Sequence, residues 1–104
     1  MTKIGDIMVA GSKRHSYKQF FYVFDIKNEI LYMNGIGTGG TIFNYNYLGW
    51  SVDRKADADE IKEFYELLER FDCVVDENLK TIRKKIHTIN EKILLYLQII
   101  FCLL

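Results

Sequence analysis

The stretch "VDENLKTIRKKIHTINEKILLYLQIIFCLL", Val75 to Leu104, carries the most regular pattern in this chain of 104 residues. Val75, Leu79, Ile82, Ile86, Ile89, Ile93, Tyr96, Ile100 and Leu103 follow one another at alternating steps of four and three. That spacing keeps one apolar seam on one side of a helix for about four heptads. Leu79, Ile86, Ile93 and Ile100 fall at position a; Ile82, Ile89, Tyr96 and Leu103 fall at position d. Isoleucine at both positions favours three or four strands over two. Towards the end Leu97, Ile99 and Phe101 widen the apolar surface beyond the seam, so the helix needs cover from several sides. The expectation is a long helix through which the chain forms a homo-oligomer, the alternative being a core helix of the same chain. A competing reading makes "CVVDENLKTIRK", Cys73 to Lys84, a β-hairpin turning at Asp76–Asn78. Ile86 to Leu103 would then form a separate helix.

Immediately upstream lies a second helical segment. Asp57 as N-cap with Glu60 at the third position forms a capping-box pattern, and the early acids suit the helix dipole. Ile61, Phe64, Tyr65, Leu68 and Phe71 make an apolar stripe. The other face carries six carboxylates against Lys62 and Arg70, and reads as solvated or as a surface for a basic partner. The segment after it carries Lys80, Arg83, Lys84, Lys85 and Lys92 against Glu91 alone, so the two are expected to pair as an antiparallel helical hairpin.

All seven glycines and the single tryptophan lie in the first fifty residues, which marks a β half. "GDIMVA", Gly5 to Ala10, is a short strand. "YKQFFYVFDI", Tyr17 to Ile26, is aromatic and β-branched and reads as a central strand covered on both faces. Lys27-Asn28 turns the chain into "EILYMN", and Asn34-Gly35 is a second turn signal. "TIFNYNYLGWSV", from Thr41, alternates as a strand should. The fold class expected is α+β in one domain of 104 residues. A small antiparallel SH3-like barrel or curled sheet (residues 1–53) leads into an amphipathic acidic helix (57–71) and the heptad helix (75–104).

Composition narrows the function. Lysine plus arginine equals aspartate plus glutamate at fourteen each, which argues against non-specific coating of nucleic acid. The N-terminal residues have no apolar run of signal-peptide length. Cys73 and Cys102 suit neither a zinc site nor a disulfide framework, and read as reduced thiols of a cytoplasmic protein. The run from Ile93 to Leu104 is apolar except for Gln98, but falls short of the ~18–20 residues that cross a bilayer. A buried helix end is therefore expected over a membrane contact.

Gly35-Ile36-Gly37-Thr38-Gly39-Gly40 matches G-x-G-x-x-G, but a strand follows it, where the dinucleotide fingerprint needs a helix N-terminus. It reads as a hairpin loop, with an anion-binding nest of glycine amides at Gly37, Gly39 and Gly40 as the functional alternative. His15 and His87 have no partner at triad spacing, and no metal-ligand spacing occurs. The expectation is a non-enzyme without catalytic residues, metal or cofactor. The best binding surface joins Arg14 and Lys18 to Tyr45, Tyr47 and Trp50, since aromatics among cations stack bases or grip peptides.

"GWSVDRKADADEIKEFYELL", Gly49 to Leu68, together with Gly5-Asp6-Ile7, resembles small phage and mobile-element proteins. In these a short SH3-like barrel, opened by a "GD-hydrophobic" strand, leads into an "R-x-A-x-x-E-I" helix start. The corresponding residues are Arg54, Ala56 and Ile61; the strict register puts the motif's acid at Asp59 with Glu60 next, so Glu60 and Ile61 fall one residue late. The likeness spans roughly residues 4 to 71 and leaves out the heptad tail. It implies a binding role in the host cytoplasm, since some such proteins antagonise host defence by binding a protein or a nucleotide signal. The leading expectation is an oligomeric inhibitor that occludes a host factor; the alternative is a nucleic-acid or nucleotide-signal binder using the glycine loop and the basic, aromatic strand surface.

Overall fold

The structure, a computed structural model, describes residues 2–11, 16–48, 54–86, 96–100 and 102. Strands β1 (Ile7–Ala10), β2 (Gln19–Lys27), β3 (Ile30–Gly37), β4 (Ile42–Leu48) and β5 (Arg54–Lys55) form one antiparallel sheet in the order β4-β3-β2-β1-β5. Helix α1 (Ala58–Arg70) and a separate hairpin of β6 (Cys73–Asp76) and β7 (Thr81–Lys84) follow. β2 is the central strand, and its alternation decides the layers. Phe20 and Tyr22 face one side, with Ile7, Val9 and Ile36, and bury against Phe64, Leu67 and Leu68 of α1 and Cys73 and Ile82 of the hairpin. Phe21 and Val23 face the other side, in a second buried cluster with Met8, Leu31 and Met33. A bulge between Val23 and Asp25 then re-aims the end of β2.

The β2–β3 turn falls at Asn28 and Glu29, both with positive φ, one residue later than the sequence suggests. Asn34-Gly35 is not a turn; both residues lie inside β3. Their composition has other causes. Gly35 stands opposite Phe21, and a β-carbon there would come within 2.5 Å of the phenyl ring. Asn34, 1% exposed, joins two layers: its Nδ2 donates to Phe43 O, while its Oδ1 accepts from the Ile82 amide and the Thr81 hydroxyl.

Two features of the expected fold are overturned. The SH3-like barrel does not close: the sheet ends at β4 and β5, which do not pair with one another among the described residues. Its open face is covered instead by α1 and the β6–β7 hairpin. The long heptad helix does not form either. The chain leaves α1 through Asp72 in the left-handed region and enters β6, so residues 73–84 adopt the hairpin alternative. Val74 and Val75 suit a strand better than a helix, and Ile82 finds the core at 2% exposure. Leu79, the neighbouring seam position, is 59% exposed beside the hairpin turn, where its amide donates to the Asp76 carboxylate. The seam is thus split between core and solvent. Ile86 is half-buried, Tyr96 and Ile100 are exposed in a helical segment at 96–100, and Ile89, Ile93 and Leu103 lie outside the described residues. The expected helical hairpin becomes a helix–strand contact, in which Lys85 Nζ reaches Glu69 at 3.0 Å and Lys84 Nζ donates to Phe71 O.

Helix α1 begins with the capping box: Asp57 Oδ1 accepts from the Glu60 amide, and the Glu60 carboxylate accepts from the Asp57 amide. Glu60 does not belong to the solvated face. It is 3% exposed and makes a bidentate pair with Arg54, tying β5 to the first helical turn. No helix among the described residues is long and apolar enough to cross a membrane. Cys73 is buried and Cys102 exposed, both free.

Candidate functional site

Among the described residues, a shallow concavity lies where the chain enters β1. The Lys3 amide donates to Asp6 Oδ2 at 2.7 Å and the Asp6 amide to Lys3 O, folding residues 3–6 into a tight turn. Gly5 N then donates to Val23 O and Val23 N to Asp6 O, fixing the turn against β2. Gly5 has no side chain to fill the space beside it. Two adjoining depressions share it. One, of about 250 Å3, is lined by Ile4, Tyr22, Phe24 and Glu77. The other, of about 150 Å3, is lined by Asp6, Lys55, Ala56, Ile61 and Tyr65. Each is smaller than the ~300–1,000 Å3 of a typical small-molecule site, and suits a single apolar side chain of a partner.

The rim is apolar and open: Ile4 is 61%, Ile61 39% and Tyr65 51% exposed. Helix geometry explains the last two. Phe64, Leu67 and Leu68 point at the sheet, which rotates Ile61 and Tyr65 onto the shoulder beside β1. Tyr65 meets Phe64 edge-on at 5.1 Å, and Tyr22 packs on Phe24 at 4.6 Å, so both tyrosines are held on rigid elements.

The polar groups of the cleft are paired with one another. Tyr22 Oη donates to Glu77 Oε1 at 3.1 Å, and Lys55 Nζ lies 3.1 Å from Asp6 Oδ2. Burial pushes the Tyr22 phenol up, and the hydrogen bond to Glu77 and its charge push it further, so the hydroxyl stays protonated. Burial also raises Asp6, but the Lys3 amide and Lys55 outweigh it and hold the carboxyl below its usual range. Neither group is poised near neutrality, where acid–base catalysis is most effective. Among the described residues no three potential ligands converge on a metal-sized site.

Of the residues singled out from sequence, Lys18, Gly37, Gly39 and Gly40 are described in full, and none of the four lines this cleft. Lys18 is 9% exposed and its ammonium lies 3.1 Å from Glu63, clamping the residue before β2 to α1. In the glycine loop the amides of Gly37, Thr38 and Gly40 donate to Thr41 O, Lys18 O and Gly37 O, so all three are occupied. Gly40, at φ +88°, lies under Phe71, whose ring a β-carbon would approach to 2.6 Å; Gly37 and Gly39 pack beside Tyr17. The glycines serve close packing of this loop. Tyr45 and Tyr47 pair across β4 with Met33 and Leu31, and their side chains lie outside the description. Arg14 and Trp50 also lie outside the described residues. Conversely, Ile4, Tyr22 and Glu77 carried no sequence signal as a set, because the turn, β2 and the hairpin approach only in the fold. The chain matches no protein-family model, and no curated protein or solved structure matches it.

Proposed function

We propose that the protein is a non-enzymatic binding module that occupies a partner protein by gripping one or two of its apolar side chains in the cleft around Gly5. The observation that carries this reading is the open apolar rim of Ile4, Ile61 and Tyr65 around depressions whose polar groups are already paired. Such a surface offers contact area at low cost in desolvation. The resemblance to small phage and mobile-element proteins supports a host protein as that partner, and its motif residues Gly5, Asp6, Ile7, Ala56 and Ile61 line the cleft. The nucleotide-signal reading draws less support, since Lys18 is tied to Glu63 and the loop amides of Gly37, Thr38 and Gly40 are in use.

Selection of peptides from a random displayed library against the immobilised full chain tests the proposal. Binders should be rich in apolar residues, and should lose at least tenfold in affinity on Tyr65→Ala and on Ile4→Asp. Binders that tolerate both changes would move the functional surface elsewhere. Oligonucleotide affinity that falls steeply with salt would favour the nucleotide reading instead.

A further inference from the structure

The five-stranded sheet has two edges, and they are built differently. β5 is two residues long and both, Arg54 and Lys55, are cations, the short and charged form that keeps an edge from pairing with another chain. β4 is seven residues long, Ile42–Leu48, and carries no charge and no proline. Its register against β3 runs without a bulge from Ile36–Ile42 to Ile30–Leu48, and among the described residues β3 is its one neighbour in the sheet. Charge, proline, bulge and short length, the devices that blunt an edge from within the strand, are all missing from β4.

The backbone of β4 is set to take a further strand. The Gly37 amide donates to Thr41 O, and in an antiparallel ladder the residues bonded to one neighbour alternate with those turned away from it. Phe43, Tyr45 and Tyr47 therefore bond to β3, and the N–H and C=O groups of Ile42, Asn44, Asn46 and Leu48 turn to the far side. The sequence then selects the strand that fits there. Ile-Phe-Asn-Tyr-Asn-Tyr-Leu has the same chemistry in both directions. Reversed about Tyr45, it sets Ile42 opposite Leu48, Phe43 opposite Tyr47, Asn44 opposite Asn46 and Tyr45 opposite itself. An antiparallel partner is met in reverse, so a second copy of β4 meets like with like at every position. In that register the outward residues face only outward residues, in four pairs that exchange about eight hydrogen bonds. By the two-residue period of a strand, positions 43, 45 and 47 share one face, which makes aromatic cross-strand pairs of the favourable kind.

We propose that two copies of the chain pair antiparallel through β4, with Tyr45 on the twofold axis, joining their two sheets into one. The contact uses the β4 edge of each copy and leaves the blunted β5 edges outermost, so assembly closes at two. The test is sedimentation velocity of the full chain across a range of concentrations, with amide hydrogen exchange read at both ends of that range. The expected result is a monomer–dimer equilibrium in which the Asn44 and Asn46 amides exchange several-fold more slowly in the dimer. The Phe43 and Tyr45 amides, already bonded to β3, should change little. Tyr45→Lys and Tyr45→Glu each set like charges against one another on the axis, and each should weaken dimerisation at least tenfold. An equimolar mixture of the two should restore it, which neither variant could do if it failed to fold. A chain that stays monomeric throughout, with exchange at Asn44 and Asn46 independent of concentration, overturns the proposal and leaves the edge to an extended segment of another protein. So does a dimer that both variants leave intact, or growth past two copies.

Discussion

Ile82 and Ile100 are the same residue type on one run of apolar spacing, yet Ile82 is 2% exposed and Ile100 is 51% exposed. The hairpin around Ile82 has long-range partners that the segment around Ile100 lacks among the described residues. Ile82 meets the face formed by Phe20, Ile36 and Phe64, and its amide is received by Asn34 from forty-eight residues away. Arg83 bonds Asp76 across the same hairpin at 2.7 Å. Spacing alone distributes apolar groups along a chain. What buries them is a complementary surface elsewhere in the molecule, together with partners for the backbone polar groups that go in with them.

The sharpest way to break this contrast is to truncate both isoleucines. Ile82→Ala should cost about 3 kcal/mol, as a cavity in a packed core does. At roughly 5 °C per kcal/mol for a domain of this size, its melting temperature should drop by about 15 °C. Ile100→Ala should change stability by less than ~0.5 kcal/mol, as a surface substitution does. Equal losses in urea titrations would restore one continuous apolar seam.

A smaller effect tests the clamp. Asn34→Ala leaves the Ile82 amide buried without its acceptor and should cost about 2 kcal/mol. Thr81→Val, which removes only a hydroxyl from the same acceptor, should cost less than half of that. If the two variants are equal, Asn34 does not join the hairpin to the sheet.

Acid titration sharpens the account of the Arg54–Glu60 tie. Hydrogen bonding to Arg54 holds the Glu60 carboxyl low, against burial, with the Asp57 amide assisting. Because the folded value lies below the unfolded one, this contribution is complete above ~4.3, the ordinary glutamate value. It is lost as pH falls through the depressed folded value. Glu60→Gln should lower stability by about 1–2 kcal/mol at pH 7 and flatten its dependence below pH 5. An acid slope identical to that of the parent chain would remove Glu60 from the account. Asp76, held low first by Arg83, should leave a residual slope of the same sign. The smallest expected change is Leu79→Ser, within ~0.5 kcal/mol, since that side chain is already in water.

Local chemistry was legible in the sequence where short-range rules decide the outcome. The aromatic, β-branched run of β2 is the central strand, and Asp57 with Glu60 caps α1. Where a distant partner decides, the reading failed. Asn34-Gly35 has the composition of a turn, but glycine is there for the ring of Phe21 and asparagine for Ile82. Residues 73–84 satisfy helical and strand patterns together, and the sheet face waiting for Ile82 selects the strand. Glu60 was legible as the third residue of the capping box, but its pairing with Arg54, six residues upstream in β5, depends on how β5 meets the first helical turn. The cleft joins four segments far apart in the chain, residues 4–7, 22–24, 55–65 and 77, so no local pattern marked it.

The most direct test of the split between hairpin and tail is a nitrogen-edited NOESY spectrum of the full chain. Cross-strand contacts between Val75 and Ile82 and between Cys73 and Lys84, with the Asn34 side chain near the Ile82 amide, are the predicted result. An unbroken ladder of i to i+3 contacts from Val75 through Ile86 would contradict it, and would return the whole run to a single helix.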